Sequence, residues 1–319
     1  MGSGICQTVI SRFFLCSLFS VLCSLSCSTT PSAPDTTLLE TGYLPLEPGA
    51  SAYLFIDVIN ARPLLDHFSF IPTSNSQVRQ MIDRTHTAVA AVYSPGNERR
   101  YQVAAWGRYP VWGAEMALGA NRNWKKQRSA IGRATYWYSS SERLSIALDS
   151  REILVSAATG DSPLDPFPPM PATDVPSGTK IPDDFGEFSR GAILSCWFNN
   201  PAPLINQKLR EMSLPIELPA EQVFISIFPA DEGHNNDGEQ KYIANVKIGF
   251  PSVTQARGLV AMLNLSRAFF SPNPNSGSSY ILAAILFSNP PVQDDRNLIL
   301  KTNALSAGEI SLLFDLFSL

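Results

Sequence analysis

Three histidines, His67, His86 and His234, are the only imidazoles in the chain. They stand in separate segments and form no H-E-x-x-H pair with which to hold zinc. The acidic stretch from Asp231 to Glu239 carries oxygen ligands, but not in calcium-loop order. Counting back from Gly238, the first acidic ligand position is Gly233, and the distal glutamate position is Ala244. A solvated hairpin loop is the simpler reading. Ser177-Gly-Thr-Lys180 has the S-x-x-K spacing by which a lysine on the next helical turn activates a serine. Pro176 and Pro182 leave no helix there to provide that turn. Cys196 lies in an apolar strand-like run, where burial disfavours the thiolate. There is no G-x-S-x-G elbow, Walker loop or G-x-G-x-x-G. The sequence therefore supplies no linear catalytic motif, and neither a metal nor a cofactor is expected.

Two other groupings stand out. Arg122, Trp124, Lys125, Lys126 and Arg128, with Arg133 close by, gather cations around an aromatic in a chain of net charge -4. A Trp beside Lys and Arg suits anionic lipid headgroups or an acidic envelope polymer, through charge attraction and an amphipathic ring. The same residues would also serve as a solvated helix-to-strand connection. The matching region of the second half, Leu265 to Ser278, carries only Arg267. At the carboxyl end, Ser306-Ala-Gly-Glu309 is a capping box, after which Ile310, Leu313, Phe314 and Phe317 follow helical spacing. That helix has little polar face; it should dock on the protein's own sheet, with a partner groove or bilayer surface as the alternatives. The acidic balance, with a pI near 5.5, gives no basic field for nucleic acid.

The elements that must position these residues are short. Among 319 residues there are 25 Pro and 19 Gly, with 45% hydrophobic and only 16% charged residues, which excludes a coiled coil or a disordered chain. The body reads as a divergent duplication. Ala52 to Asn60, running into Pro63-Leu64-Leu65, matches Ala192 to Asn200, running into Pro203-Leu204-Ile205. Arg100-Tyr101 before Pro110 matches Lys241-Tyr242 before Pro251. Asp149 to Val155 matches Asp294 to Leu300. Each copy reads strand, helix (Pro63 to about Arg84; Pro203 to Met212), strand (Ala88 to Tyr93; Val223 to Phe228), hairpin and strand. A Pro-led helix and further strands at Ala134 to Tyr138 and Ser279 to Phe287 follow. This order predicts an α+β fold, a tandem ferredoxin-like βαββαβ unit with an extra strand, its antiparallel sheets covered by helices on one face. The copies occupy 49–160 and 190–319. Between them, 161–189 holds seven prolines and reads as an extended connector, with Phe167, Phe185 and Phe188 available to pin it down.

The amino terminus carries an address. Arg12 precedes the apolar run Phe13 to Leu25, too short to span a bilayer, which needs about 20 residues, and the right length for an export signal. Ser24-Leu25-Ser26-Cys27 then places small residues before a cysteine, and the chain turns polar at once. This resembles a bacterial lipoprotein signal of the loosened spirochaete kind, with Ser24 where Leu is usual. The resemblance implies cleavage after residue 26 and acylation of Cys27. Residues 27–48 become a Ser/Thr/Pro-rich tether with a reach of roughly 25 Å. It also implies a membrane-anchored protein on the periplasmic face of the inner or outer membrane. With Cys27 acylated, only Cys196 remains beyond the signal, so no intramolecular disulfide framework is expected. The expected role is binding or scaffolding, with envelope proteins, anionic lipid or polymer as partners. A hydrolase with a site assembled from both copies, or a structural partner of an outer-membrane assembly machine, are the alternatives.

Overall fold

The computed structural model describes residues 46, 49–68, 71, 73, 76–93, 100–128, 135–141, 143–149, 154–159, 182–211, 217–234, 240–269 and 288–317. The signal, Cys27, the tether, the hairpin at 94–97, Arg133, the connector through residue 181 and the strand expected at 279–287 lie outside the described residues. The chain divides into two compact units, Met1–Pro182 and Asp183–Leu319.

The first unit begins with β1 (Ala52–Asp57), α1 (Val58–Leu65), α2 (Ser76–Arg84), β2 (Thr85–Tyr93) and β3 (Arg100–Gly107). It continues with α3 (Val111–Ala120), β4 (Lys125–Arg128), β5 (Thr135–Ser139), β6 (Leu144–Asp149) and β7 (Leu154–Thr159). Its strands pair in the order β1-β2-β3-β7-β6-β5-β4, each pair antiparallel. In β2 the side chains of Val89, Ala91 and Tyr93 are buried while their neighbours are half-buried, the alternation of a strand with one drier face. The core of the opposite face joins Ala105, Tyr109, Ala114, Leu118, Trp124, Trp137, Leu144 and Ile146.

The helical region expected from Pro63 to Arg84 is two helices, and the first starts before Pro63. Asp57 caps it, its Oδ1 accepting from the Asn60 amide at 3.2 Å, which is why helix formation begins at Val58. At the junction of β2 and β3 the register shifts between Thr85 and Thr87, and the Arg108 amide donates to the Arg84 carbonyl at 2.7 Å. A Cβ on Gly107 would collide with that same carbonyl, so glycine is required by close approach of the two strands. Thr85 Oγ1 and the Tyr109 hydroxyl are 2.7 Å apart beneath this bulge.

The second unit runs α4 (Asp183–Phe188), β8 (Leu194–Asn199), α5 (Ala202–Glu211), β9 (Gln222–His234) and β10 (Gln240–Gly249). After these come α6 (Val253–Phe269), β11 (Val292–Asp294), β12 (Asn297–Lys301) and α7 (Ala307–Phe317). Its strands pair β8-β9-β10-β12-β11, again antiparallel. The capping box is formed: the Ser306 amide donates to Glu309 Oε2 at 2.8 Å and the Glu309 amide to Ser306 Oγ at 3.3 Å. Helix α7 packs against β10 and buries Ile310, Leu313 and Phe314, so its apolar stripe docks on its own sheet.

The α+β class and antiparallel sheets are those expected. Within each unit, however, the first three strands are neighbours in chain order, and the last strand folds back beside the third. A ferredoxin-like unit would instead be interleaved through a split βαβ. Both units share this meander-and-return order, with β4 and β5 as additions to the first. The segment 183–188, expected as extended connector, is helical and belongs to the second unit. Pro182 is the last proline of the run, and Asp183 and Asp184 place carboxylates at a helix start. The aromatic pins expected at Phe185 and Phe188 both rest on Phe224 of β9, with ring centroids 5.3 and 5.8 Å away.

Candidate functional site

Helix α3 reads Val-Trp-Gly-Ala-Glu-Met-Ala-Leu-Gly-Ala, with one charge. Such a helix buries whichever side meets the sheet and leaves the rest apolar in water. Leu118 and Ala114 take the buried side, packed with Trp124 and Trp137. Trp112 and Met116, one turn apart on the other side, are 73% and 53% exposed. Of the five tryptophans in the chain, Trp106, Trp124, Trp137 and Trp197 are all buried.

The helix ends where the Asn121 amide donates to the Leu118 carbonyl at 3.2 Å. Asn121 Oδ1 accepts from the Asn123 amide at 3.0 Å, and the Asn121 carbonyl from the Trp124 amide at 3.1 Å, turning the chain straight into β4. Strand β4 pairs with β5 in register Lys125–Tyr138, Lys126–Trp137, Gln127–Tyr136 and Arg128–Thr135. Side chains alternate along a strand, so Lys126 and Arg128 lie on the face of Trp137 and α3, and Lys125 on the other. Lys126 Nζ reaches Glu115 Oε1 of α3 at 3.3 Å and lies 5.4 Å from the Trp137 ring centroid. Arg122, Lys125 and Arg128 are exposed.

Lys126 and Arg128 therefore share the α3 face of β4, Lys125 lies on the opposite face, Arg122 stands in the turn before the strand, and Arg133 lies outside the described residues. The structure corrects the part assigned to Trp124. That ring is 6% exposed and belongs to the core, because the turn at Asn121 aims it back under α3. The exposed aromatic of this surface is Trp112. The signal that finds it is helical spacing: Ala114 and Leu118 mark one side of α3, and Trp112 and Met116 fall on the other. The expected helix-to-strand connection also contains a strand, β4, at the end of the sheet order. Charged side chains on an edge strand discourage pairing with a further chain.

Elsewhere the titratable groups behave as packing demands. Among the described residues no group of three His, Cys, Asp or Glu could hold a metal ion. His67 is exposed, and His86 has its pKa lowered by desolvation and, secondarily, by Arg108. Burial pushes the Cys196 thiol up, and likewise the Tyr109 phenol, against the smaller opposing effect of its hydrogen bond to Thr85. No helix among the described residues is long and apolar enough to cross a membrane.

No family model matches this sequence, and no curated protein does. Solved structures do. Crystal form III of TP0453, a Treponema pallidum lipoprotein, superposes with a TM-score of 0.51 at 14% identity, covering 86% of this chain and 99% of that one. Crystal form IV gives 0.52 at 12% identity, covering 88% and 99%, and crystal form I gives 0.51 at 13%, covering 85% and 96%. At these identities the likeness is one of fold: this chain is similar in architecture to TP0453 over nearly the whole of that protein.

Proposed function

We propose that this chain is an exported envelope lipoprotein, acylated at Cys27, whose body arose by duplication of one α+β unit and whose first unit lays α3 and β4 against an anionic bilayer surface. The role is non-catalytic: docking, and through it the placement of the body at the membrane. The observation that carries the reading is the exposure of Trp112 and Met116 on a helix that adjoins the cationic strand β4. Apolar rings and thioethers enter the headgroup boundary, while lysine and arginine beside them meet the phosphates. Trp is well suited to that depth, having an apolar body and one N–H donor.

Two further observations support the reading. The lipobox-like Ser24-Leu25-Ser26-Cys27 precedes a polar tether, and the similar fold of TP0453 is that of a spirochaete lipoprotein. The shared strand order of the two units supports duplication.

Two experiments test it. Cells grown with labelled palmitate should label the chain, and Cys27→Ala should abolish the label; undiminished labelling would end the assignment. Vesicles containing phosphatidylglycerol should shield Trp112 from acrylamide, and phosphatidylcholine alone should not. Equal quenching on both would end the docking assignment.

A further inference from the structure

Glu115 is the single acid of α3 and stands on the same side of the helix as Trp112 and Met116, three residues after one and next to the other. Its carboxylate holds Lys126 Nζ at 3.3 Å, with the two side chains 40% and 49% exposed. The same ammonium sits over the Trp137 ring. Lys126 is thus engaged by its own protein from two directions, and one negative charge is set between the two apolar residues that face water. This surface would bind any anionic bilayer more strongly without Glu115. An exposed ion pair of this kind contributes little to stability, so folding gives no reason for the acid.

Resting on the lipid-docking reading above, we propose that Glu115 is a specificity-determining residue that sets how anionic a bilayer must be before the surface engages. Its charge opposes headgroup phosphates, and its pairing withholds Lys126 from them. Docking follows only where the surface potential acting on Arg122 and Arg128 outweighs both effects. A weakly anionic leaflet leaves the body free on its tether, and a strongly anionic one draws it down.

The test uses the full acylated chain on phosphatidylcholine vesicles with increasing phosphatidylglycerol, reading the shielding of Trp112 from acrylamide. Glu115→Gln should reach half-shielding at a lower phosphatidylglycerol fraction, with a docking constant about fivefold larger at a fixed fraction, the effect of about one charge near an anionic surface. Lys126→Gln should move the midpoint the other way, and the double variant should fall within about twofold of wild type because the two charges cancel. At about 1 M salt, where screening acts within about 3 Å, the curves should merge. Glu115→Ala, which removes the charge with a strong helix former, gives the same reading should Gln perturb the helix. A Glu115→Gln midpoint equal to or above that of wild type, with wild type shielded, overturns this inference alone. No shielding of wild type at any fraction overturns the docking reading and this inference with it.

Discussion

Phe185 meets Phe224 edge-to-face, ring centroids 5.3 Å apart and planes at 66°, and this contact attaches α4 to β9. Lys247 completes the attachment, its Nζ 2.6 Å from Asp184 Oδ2 and 5.3 Å from the centroid of Phe224. Phe185 is 1% exposed. Truncating a ring so buried removes its transfer energy and leaves a cavity, so Phe185→Ala should destabilise the second unit by about 3–5 kcal/mol. Urea unfolding followed by Trp197 emission measures this. A loss under about 1 kcal/mol would mean that α4 is a loosely attached piece of connector rather than part of the unit.

The capping box at α7 gives a smaller expected effect. Glu309 Oε2 accepts from both the amide and the hydroxyl of Ser306, and Ser306 Oγ accepts from the Glu309 amide. Ser306→Ala should cost about 1 kcal/mol, within the range of about 0.5–2 seen for caps. Hydrogen exchange should quicken in the first turn of α7 before the rest of the helix, because Ile310, Leu313 and Phe314 hold the remainder on the sheet.

Much of this framework was legible in the residues alone. Several strands, the capped carboxyl-terminal helix and the aromatic pins at Phe185 and Phe188 follow from alternation, a capping box and isolated rings beyond a proline run. The meander order did not follow, because the order of elements along the chain is the same for interleaved and sequential pairing. Strand β4, Lys-Lys-Gln-Arg, has no apolar alternation to announce it; its conformation is imposed by hydrogen bonding to β5. Trp124, expected on the cationic surface, is buried while Trp112 is exposed, for a related reason. Burial of an aromatic depends on which side of α3 meets the sheet, and neighbouring charges do not decide that.

Acid should weaken the first unit through His86. Desolvation and Arg108 hold its folded pKa below the ordinary 6.5, so the unfolded chain binds the proton more readily. The group costs no stability at neutral pH, and its unfavourable contribution enters as pH falls through about 6.5. Thermal melts between pH 7 and pH 5 should therefore show a shallower loss for His86→Gln than for wild type. Parallel slopes would assign acid sensitivity to other groups.

The cations of the surface should act additively. Arg122→Gln with Arg128→Gln removes two exposed charges, each contributing about 1 kcal/mol at an anionic surface, so docking on strongly anionic vesicles should weaken roughly thirtyfold. Raising salt should weaken wild type more than the double variant, as the variant has less attraction to screen. The acrylamide shielding of Trp112 reads both effects.

Quenching by brominated lipid tests the central claim most directly. Trp112 is the one exposed tryptophan of five, so on vesicles of phosphatidylglycerol with dibrominated acyl chains the full acylated chain should lose the part of its emission that comes from Trp112. Trp112→Phe should show almost no further quenching by bromine. Equal quenching of wild type and Trp112→Phe, or none in either, would show that α3 does not enter the bilayer and would contradict the account.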